Sequence, residues 1–318
     1  MIHTPTLFVL GAGASKPYGQ PLGSELRTMV CDAQNEDNPA ARGVAQNGAF
    51  GFTHADIRHV ALTFLRSGVR SIDEFLGRFP HMVDVGKALI AAIICAKEHP
   101  DEIFSEQNPD HWYRILWNAL IDGTTQGQEL RQNSVRFITF NYDRSLEFFL
   151  HESTKATYGY NDSSSYALWS PLEVMHVYGS VGEFNFADGG NINRTRPYSP
   201  EIKPRELGAA AGGINIMPEG RDDAPQFQMA RRWFDWAQHV YILGFGFDRL
   251  NCDRLNFESV LQHNRGFEKP PPSINASVLG LTPAEVIRAQ RCLLGNEGNW
   301  TVHNAKNAMT LRLAGLPD

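Results

Sequence analysis

Two apolar segments of the chain end in polar residues whose types suit catalysis. One reads ITFNYDRSLE, so that Asn141 and Asp143 follow a strand-like run and precede a helix-like run. The Asn141 amide can both donate and accept hydrogen bonds, and the Asp143 carboxylate is a charged acceptor. Asp143 could equally cap the helix that follows it, whereas Asn141 has no such structural explanation.

The second segment reads VMHVYGSVG and contains the candidate proton acceptor, His176. On a strand, His176 and Tyr178 lie on the same face, and Gly179-Ser180 form a turn at the strand's end. Histidine is the natural proton acceptor near neutral pH, although a lone strand histidine is usually a satisfied core residue. Its place before the turn predicts that His176 borders the same crevice as Asn141.

Two glycine turns, GAGAS and GFGFD, follow other apolar runs. At the carboxyl end of a parallel strand, such a turn lets backbone N–H groups approach a pyrophosphate. The first turn is not the full G-x-G-x-x-G pattern, because Lys16 occupies the third glycine position. A tight structural turn is the alternative explanation of each motif, and it explains GFGFD equally well when that motif is taken alone. The turn residues expected at a ligand are Gly11, Ala12, Gly13, Ser15, Gly244, Phe245, Gly246 and Asp248.

Strands must position these turns, and the pattern of apolar residues predicts where they lie. Short runs rich in β-branched or aromatic residues predict strands at Thr6–Leu10, Val135–Phe140, Glu173–Tyr178, Ile214–Met217, His239–Leu243 and Ala276–Leu279. Helical periodicity predicts helices at Leu22–Cys31, Asp143–Glu152, Pro225–Gln238, Arg249–Gln262 and Pro283–Leu294. Strands alternating with helices indicate an α/β domain with a mainly parallel sheet and helices on both faces.

The remaining segments complete the predicted organisation of residues 1–318 as one domain. Residues 53–130 are predicted to be a helical insertion after the first strand–helix unit, because apolar residues repeat there at three and four. Asp32–Phe52 and Gly182–Gly213 are rich in turn-forming residues and predict loops, and Glu268–Ser273 (EKPPPS) predicts a stiff connector.

Composition excludes several classes of protein. The chain has 318 residues, and its 29 basic and 35 acidic residues give a net charge of −6, which argues against direct nucleic-acid binding. The four cysteines form no C-x-x-C pair, which favours unpaired thiols in a reducing cytoplasm over a zinc site. The longest apolar stretch, Ala88–Ala96, is too short to span a bilayer. We therefore expect a cytoplasmic protein without a metal or a membrane anchor.

The order of the motifs resembles the sirtuin-like (silent information regulator type) family, and especially its bacterial branch of NAD-consuming anti-phage defence proteins. The matching segments are GAGAS with Gly19-Gln20-Pro21, SIDEFL (Ser71–Leu76), TFNYD (Thr139–Asp143), HVYGS (His176–Ser180) and GFGFD (Gly244–Asp248). The resemblance implies a Rossmann-like fold that binds NAD and a catalytic Asn–His pair. It further implies cleavage of NAD+ to nicotinamide and ADP-ribose, with NAD as the substrate.

The resemblance also implies roles for individual residues. Asn141 would bind the nicotinamide ribose and position a water, Asp143 would accept a hydrogen bond from the carboxamide, and His176 would bond a ribose hydroxyl or accept a proton. Pro21, Tyr178, Gly179 and Ser180 would join the residues of the two glycine turns in holding the dinucleotide.

The chain departs from the family's protein deacylases in several positions. It lacks their module of paired cysteines, Leu22-Gly23-Ser24 replaces their Asp-Phe-Arg loop, and Phe140 replaces the glutamine of T-Q-N-x-D. These differences argue against deacylation. In many relatives the histidine directly precedes the glycine, whereas here Tyr178 occupies that place and His176 lies two residues earlier. Which of the two takes the family histidine's place is open.

Uncontrolled NAD+ cleavage would kill the host cell, so the resemblance implies a toxic effector that a partner or self-assembly activates. We expect a homo-oligomer, with a separately encoded activator such as an ATPase, a DNA translocase or an Argonaute-type protein. The displaced histidine keeps open a non-catalytic sensor of NAD or ADP-ribose. A deacylase or ADP-ribosyltransferase, and an ordinary dehydrogenase, are further alternatives. The dehydrogenase needs an acid at the end of a second strand, and no strand leads into Glu36-Asp37.

Overall fold

One parallel sheet organises the part of the chain that the computed structural model describes, which is residues 1–186, 191–216, 224–265, 270–294 and 299–316. Its strands are β1 (Thr6–Leu10), β2 (Val135–Thr139), β3 (Val174–His176), β4 (His239–Leu243), β5 (Ser273–Ser277) and β6 (Asn299–His303). They are arranged in the order β3-β2-β1-β4-β5-β6, and every pair is parallel. This is the strand order of the Rossmann fold.

Helices cover both faces of the sheet. The first eight are α1 (Ala12–Ser15), α2 (Gly23–Asp32), α3 (Pro39–Ala45), α4 (His54–Ser67), α5 (Ile72–Arg78), α6 (Val83–Cys95), α7 (Pro100–Ile103) and α8 (Trp112–Ile121). The others are α9 (Ser145–Tyr158), α10 (Asp162–Trp169), α11 (Pro204–Gly213), α12 (Pro225–Trp236), α13 (Arg249–Leu255), α14 (Phe257–Arg265), α15 (Pro283–Leu294) and α16 (Asn307–Leu313). Helices α4 to α8 lie within residues 53–130, where the sequence predicts the helical insertion.

The buried strand β1 shows why the sheet needs two layers of helices. Its side chains alternate between two cores: Leu7 and Val9 pack in one cluster, and Phe8 and Leu10 pack in the other. A strand that is buried on both faces reads as a continuous apolar run, as TLFVL does. The predicted fold class, an α/β Rossmann-like sheet with helices on both faces, is confirmed.

Several predicted loops contain helices. Asp32–Phe52 includes α3, which begins where the Asn38 side chain accepts hydrogen bonds from two backbone N–H groups and Pro39 follows. Gly182–Gly213 ends in α11, and its run of alanines and glycines forms a buried helix. The helix predicted over Arg249–Gln262 is two helices, because Asn256 adopts a left-handed conformation between α13 and α14.

The strand predictions are right for β1 and β4 and need correction elsewhere. The edge strand β6 was not predicted, because its side chains are largely exposed and it lacks a buried apolar run. Ile214 forms an isolated bridge to Gly179 rather than a strand, and Met217 lies outside the described residues. Of the predicted connector Glu268–Ser273, the first two residues lie outside the described residues as well, and Ser273 begins β5.

The chain turns directly after His176, which makes β3 shorter than predicted. Gly179 adopts φ +70°, and its N–H bonds the carbonyl of His176 at 3.2 Å, as in a tight turn. Tyr178 therefore lies in the turn and not on the strand. The expectation that His176 and Tyr178 share one strand face was wrong for this reason.

Candidate active site

A cavity of about 1400 Å³ opens at the carboxyl ends of the central strands. The strand order reverses between β1 and β4, so this edge of the sheet is the topological switch point where α/β proteins bind ligands. Of the residues predicted to contact a ligand, those that line the cavity are Gly11, Ala12, Gly13, Asn141, Tyr178, Gly244, Phe245, Gly246 and Asp248. The structure thus brings together residues that are far apart in the chain.

The two glycine turns pack against each other backbone to backbone. Gly11 N–H bonds the Leu243 carbonyl at 3.0 Å, and Gly13 N–H bonds the Gly244 carbonyl at 2.9 Å. A Cβ at Gly11 would lie 2.6 Å from the Gly244 oxygen. The glycines therefore serve first to join the ends of β1 and β4. In this first turn, the Ala12 N–H has no hydrogen-bond partner among the described residues.

Replacing Gly244 with alanine should destabilise the protein by about 1–3 kcal/mol, because the added methyl has no room. Its Cβ would lie 2.0 Å from the Ala14 nitrogen, and Gly244 adopts φ +56°. The free energy of unfolding in urea measures the loss. Gly246→Ala is the matched control, since its Cβ would meet no heavy atom within 4 Å. Equal stability of the two variants would contradict the close-packing explanation.

Asn141 is held in one orientation at the floor of the cavity. Its Nδ2 donates to the Gly11 carbonyl and to Ser15 Oγ, both at 2.9 Å. Both amide protons are thus occupied, and Oδ1 has no hydrogen-bond partner among the described residues. The side chain therefore offers the cavity an acceptor in a fixed position.

A buried polar network lies behind Asn141. Ser15 Oγ accepts from Asn141 and is hydrogen-bonded to Asp143, which also accepts from the Ser145 hydroxyl and backbone N–H. The Tyr113 hydroxyl bonds Ser145 Oγ at 2.7 Å. Burial raises the pKa of Asp143, although the two serine hydroxyls oppose this rise. Asp143 and Ser15 do not line the cavity; they position Asn141 from behind.

His176 also lies behind the cavity wall. Its Nδ1 is 2.8 Å from the Asn141 carbonyl, and its Nε2 is 2.6 Å from Glu147 Oε1. Both partners are acceptors, so the ring is arranged to donate from both nitrogens as an imidazolium. Burial by itself would lower the pKa of His176, but Glu147 and the Asn141 carbonyl more than offset it and raise the pKa. The position does not support direct contact of His176 with a ligand.

The pair formed by His176 and Glu147 predicts a pH-dependent contribution to stability. A histidine whose pKa is raised on folding stabilises the protein below its unfolded pKa of 6.5, and this contribution disappears as the pH rises through the folded pKa. Urea unfolding measured from about pH 5.5 to about pH 9 should show that the wild type has a higher free energy of unfolding than His176→Gln at low pH. This advantage should decline as the pH rises. An advantage that does not change with pH would contradict the imidazolium assignment.

Of Tyr178 and His176, Tyr178 is the one that lines the cavity. Its hydroxyl donates to Asn251 Oδ1 and accepts from Arg254 at 2.7 Å. Burial raises the pKa of Tyr178 to about 12, so it acts as a neutral hydrogen-bonding group. Its neighbours Gly179 and Ser180 face α11 instead, where Ser180 N–H bonds the Gly213 carbonyl.

Pro21 is another predicted residue that lies outside the cavity wall. It borders a separate, shallow depression beside α2. The neighbouring Gln20 donates to the Lys97 carbonyl at 3.3 Å, which fixes the chain between the first turn and α2. The structure therefore places Pro21, Ser15, Asp143, His176, Gly179 and Ser180 around the cavity rather than in it.

Asp73 lines the cavity, and the sequence-based choice of site residues did not include it. It belongs to the SIDEFL segment, directly after the first residue of α5. Tyr142 donates to its Oδ1, and Ser71 donates to its Oδ2 at 3.2 Å. The signal available in the sequence was the position of an acid two residues after a helix-capping serine, but many surface helices begin in this way.

One cluster in the described residues has the composition of a metal site. His151, Glu152 and Asp162 bring one ligand atom each within 4.8 Å of the others. Lys155 Nζ lies 2.8 Å from Asp162 and 2.9 Å from Glu152, so one ammonium group already forms ion pairs with both acids. The cluster is explained as an ion-pair network and carries no metal assignment.

The fold and the cavity define a Rossmann-like α/β protein with a large cavity at its switch point. A scan against protein-family models found no match for this chain, and a search of curated proteins found none either. Among the described residues, no helix combines the length and apolar character needed to cross a membrane.

Proposed function

We propose that this protein hydrolyses NAD+ to nicotinamide and ADP-ribose. The observation that carries the proposal is the fixed Asn141 amide at the switch point, with its Oδ1 available to the cavity. The cavity exceeds the volume of sites for drug-sized ligands, about 300–1000 Å³, and so has room for a dinucleotide. The motif order supports the same function through its resemblance to sirtuin-like proteins.

The reaction needs few catalytic groups from the protein, because the bond to be cleaved is weak. The bond between the ribose and the positively charged nicotinamide is weak, and its cleavage produces an oxocarbenium-like ribose. Asn141 Oδ1 would accept a hydrogen bond from a ribose hydroxyl or from the attacking water, and so hold one of them in place. The electrostatic field of preoriented dipoles is the usual source of transition-state stabilisation in such sites.

The cavity wall carries six basic and six acidic side chains, and a pyrophosphate would contact the basic ones. Basic side chains line it from several elements: Lys16, Arg27, Arg70, Arg249, Arg254 and Lys306. The N–H groups of Gly11 and Gly13 are already bonded to carbonyl groups, so cationic side chains and the Ala12 N–H are left to hold a pyrophosphate. This differs from the expected cradle of glycine amides.

The direct test is nicotinamide release from NAD+ by the purified protein. It is run at several protein concentrations, because the proposed effector needs assembly or a partner for activity. Release that rises more steeply than the protein concentration would support activation by assembly. Failure to bind NAD+ at any concentration would overturn the proposal.

A non-catalytic sensor of NAD or ADP-ribose is the second candidate. It is favoured by His176, which is bonded to Glu147 and the Asn141 carbonyl and does not line the cavity. Isothermal titration separates the two functions: the sensor binds NAD+ and leaves it intact, whereas the hydrolase converts it.

The wider role in the proposal is that of a toxic effector of an anti-phage defence system, acting in the cytoplasm. This part rests on the resemblance in motif order and includes a homo-oligomer and a separately encoded activator, such as an ATPase, a DNA translocase or an Argonaute-type protein. Measuring cellular NAD+ after induced expression, with and without phage, tests it. A constant NAD+ pool in infected cells would contradict the role.

A further inference from the structure

We infer that the Asp73 carboxylate is the base that takes the proton from the attacking water. The inference rests on the proposed hydrolysis of NAD+ and adds a residue to it. Asp73 lines the same cavity as Asn141. It lies on α5, which contains none of the predicted catalytic residues.

The carboxylate of Asp73 is held beside the end of β2. The Tyr142 hydroxyl donates to Oδ1, and Tyr142 directly follows Asn141 in the chain. On the other side, Ser71 Oγ donates to Oδ2 at 3.2 Å and also caps the Asp73 N–H at 3.1 Å. Tyr142 is thus bonded to Asp73 of α5 and is the chain neighbour of Asn141, which positions the ribose or the water in the proposed reaction. This contact fixes the Asp73 carboxylate relative to Asn141.

Three ionisable groups face Asp73 in the described structure. Arg254 of α13 and Tyr178 are close enough to interact with it electrostatically, and the Tyr142 hydroxyl donates to it. Burial raises the pKa of Asp73 to about 6, although Ser71 and Arg254 oppose the rise. A carboxylate with this pKa is ionised at neutral pH and is more basic than an exposed one, as general-base catalysis requires.

Four of the other acids at the cavity are engaged elsewhere, and the fifth is exposed. Glu74 pairs with Arg78 at 2.6 Å, Asp248 caps α13, and Asp110 accepts from the first N–H groups of α16. Asp253 lies 3.5 Å from Arg249, and Glu102 is exposed. His176 has no free acceptor, since both ring nitrogens face acceptors. Among the acids of the described cavity wall, Asp73 is the one bonded to the residue that follows Asn141, and this position places it to accept the proton.

The step balances without a further reactant. The water oxygen forms a bond to C1′ of the ribose as the bond from C1′ to the nicotinamide nitrogen breaks, and the electron pair leaves with nicotinamide. One water proton passes to the Asp73 carboxylate and then to solvent, and the other stays on the new C1′ hydroxyl. The products are nicotinamide, ADP-ribose and one proton.

The test is the pH dependence of kcat/KM for nicotinamide release in the full-length protein and in Asp73→Asn. The wild type should lose activity tenfold per pH unit below about pH 6. Asp73→Asn should lose about two orders of magnitude at neutral pH and lose the acidic limb of the profile. Asp84→Asn is the matched control, because it removes the same charge from an exposed position on α6.

Two further measurements separate a base from a merely structural acid. Formate should restore activity to Asp73→Ala, because it replaces the missing carboxylate but not the contacts of α5. Tyr142→Phe should move the acidic limb to higher pH, since it removes a hydrogen bond that favours the carboxylate.

The outcomes distinguish this inference from the proposed function. If the wild type releases nicotinamide and Asp73→Asn keeps both the rate and the acidic limb of the pH profile, the inference is overturned. The proposed hydrolysis then still stands. A wild type that binds NAD+ but leaves it intact under all conditions overturns the proposed hydrolysis, and the inference falls with it.

Discussion

Replacing Asn141 with alanine should reduce nicotinamide release by at least about two orders of magnitude while the protein remains folded. The variant removes the Oδ1 acceptor, which is available to the cavity because both Nδ2 protons are bonded to Gly11 and Ser15. Ser15 and Asp143 lie behind Asn141 and do not line the cavity, so neither of them replaces this acceptor. The measurement is the rate of nicotinamide release by both proteins at saturating NAD+.

The same substitution has a cost in stability that must be measured beside the rate. It leaves the Gly11 carbonyl and Ser15 Oγ without their donor, which costs about 1–3 kcal/mol when such groups are buried. The thermal midpoint should therefore fall while the circular dichroism spectrum keeps its native form. A variant that is folded at the assay temperature then reports on catalysis alone.

The matched control is Asn193→Ala, because Asn193 is exposed and does not line the cavity. It should release nicotinamide at the rate of the wild type. If Asn141→Ala were as active as this control, Asn141 would have no part in the reaction. If Asn141→Ala bound NAD+ normally and the wild type were also inactive, the sensor function would be favoured instead.

The central strands were predictable because a strand that is buried on both faces has a recognisable local sequence. TLFVL and HVYIL are continuous apolar runs, as strands buried on both faces must be, and each ends at a glycine. The edge strand β6 has no such pattern, since only its pairing to β5 marks it as a strand. Prediction therefore succeeded at the centre of the sheet and missed the edge strand β6.

The site was predictable as a set of strand ends but not as a set of contacts. Parallel strands place their carboxyl ends at one edge, so Asn141, Tyr178 and Gly244 could be expected to meet there. The displacement of His176 depends on the turn at Gly179, which packs against α11. That contact joins distant parts of the chain, and no local pattern in HVYGS reveals it.

Asp73 illustrates what remains hidden in a single sequence. Its local pattern, a serine followed by two acids, is that of an ordinary helix start. What distinguishes it is the hydrogen bond from Tyr142, 69 positions away, and the burial that raises its pKa. Both depend on tertiary packing of the insertion against the sheet.

The largest loss of stability should come from Glu98, which lies far from the proposed chemistry. Its carboxylate is fully buried, accepts hydrogen bonds from Arg144 at 2.9 Å, and accepts one from Arg196 at 2.6 Å. The two arginines also donate to the carbonyl groups of Val181, Pro197 and Ser199. One acid thus ties the segment after β3 to the end of α6 and the start of α9.

Replacing Glu98 with glutamine leaves two guanidinium groups buried without a counter-charge. Removal of one partner from a buried ion pair costs about 3–5 kcal/mol, because the charge that remains cannot be hydrated. Since Arg144 directly follows Asp143, the turn that carries Asn141 should loosen as well. We therefore expect Glu98→Gln to lower both the stability and the affinity for NAD+.

Urea unfolding of Glu98→Gln and of Glu106→Gln measures the difference between a buried and an exposed pair of the same type. Glu106 bonds Arg114 at 2.9 Å, but its side chain is 81% exposed, so its loss should change stability little. The buried variant should lose several kcal/mol by comparison. If the two variants were equally stable, the Glu98 cluster would contribute no more than a surface pair, and the rigidity that the structure assigns to the Asn141 turn would need another source.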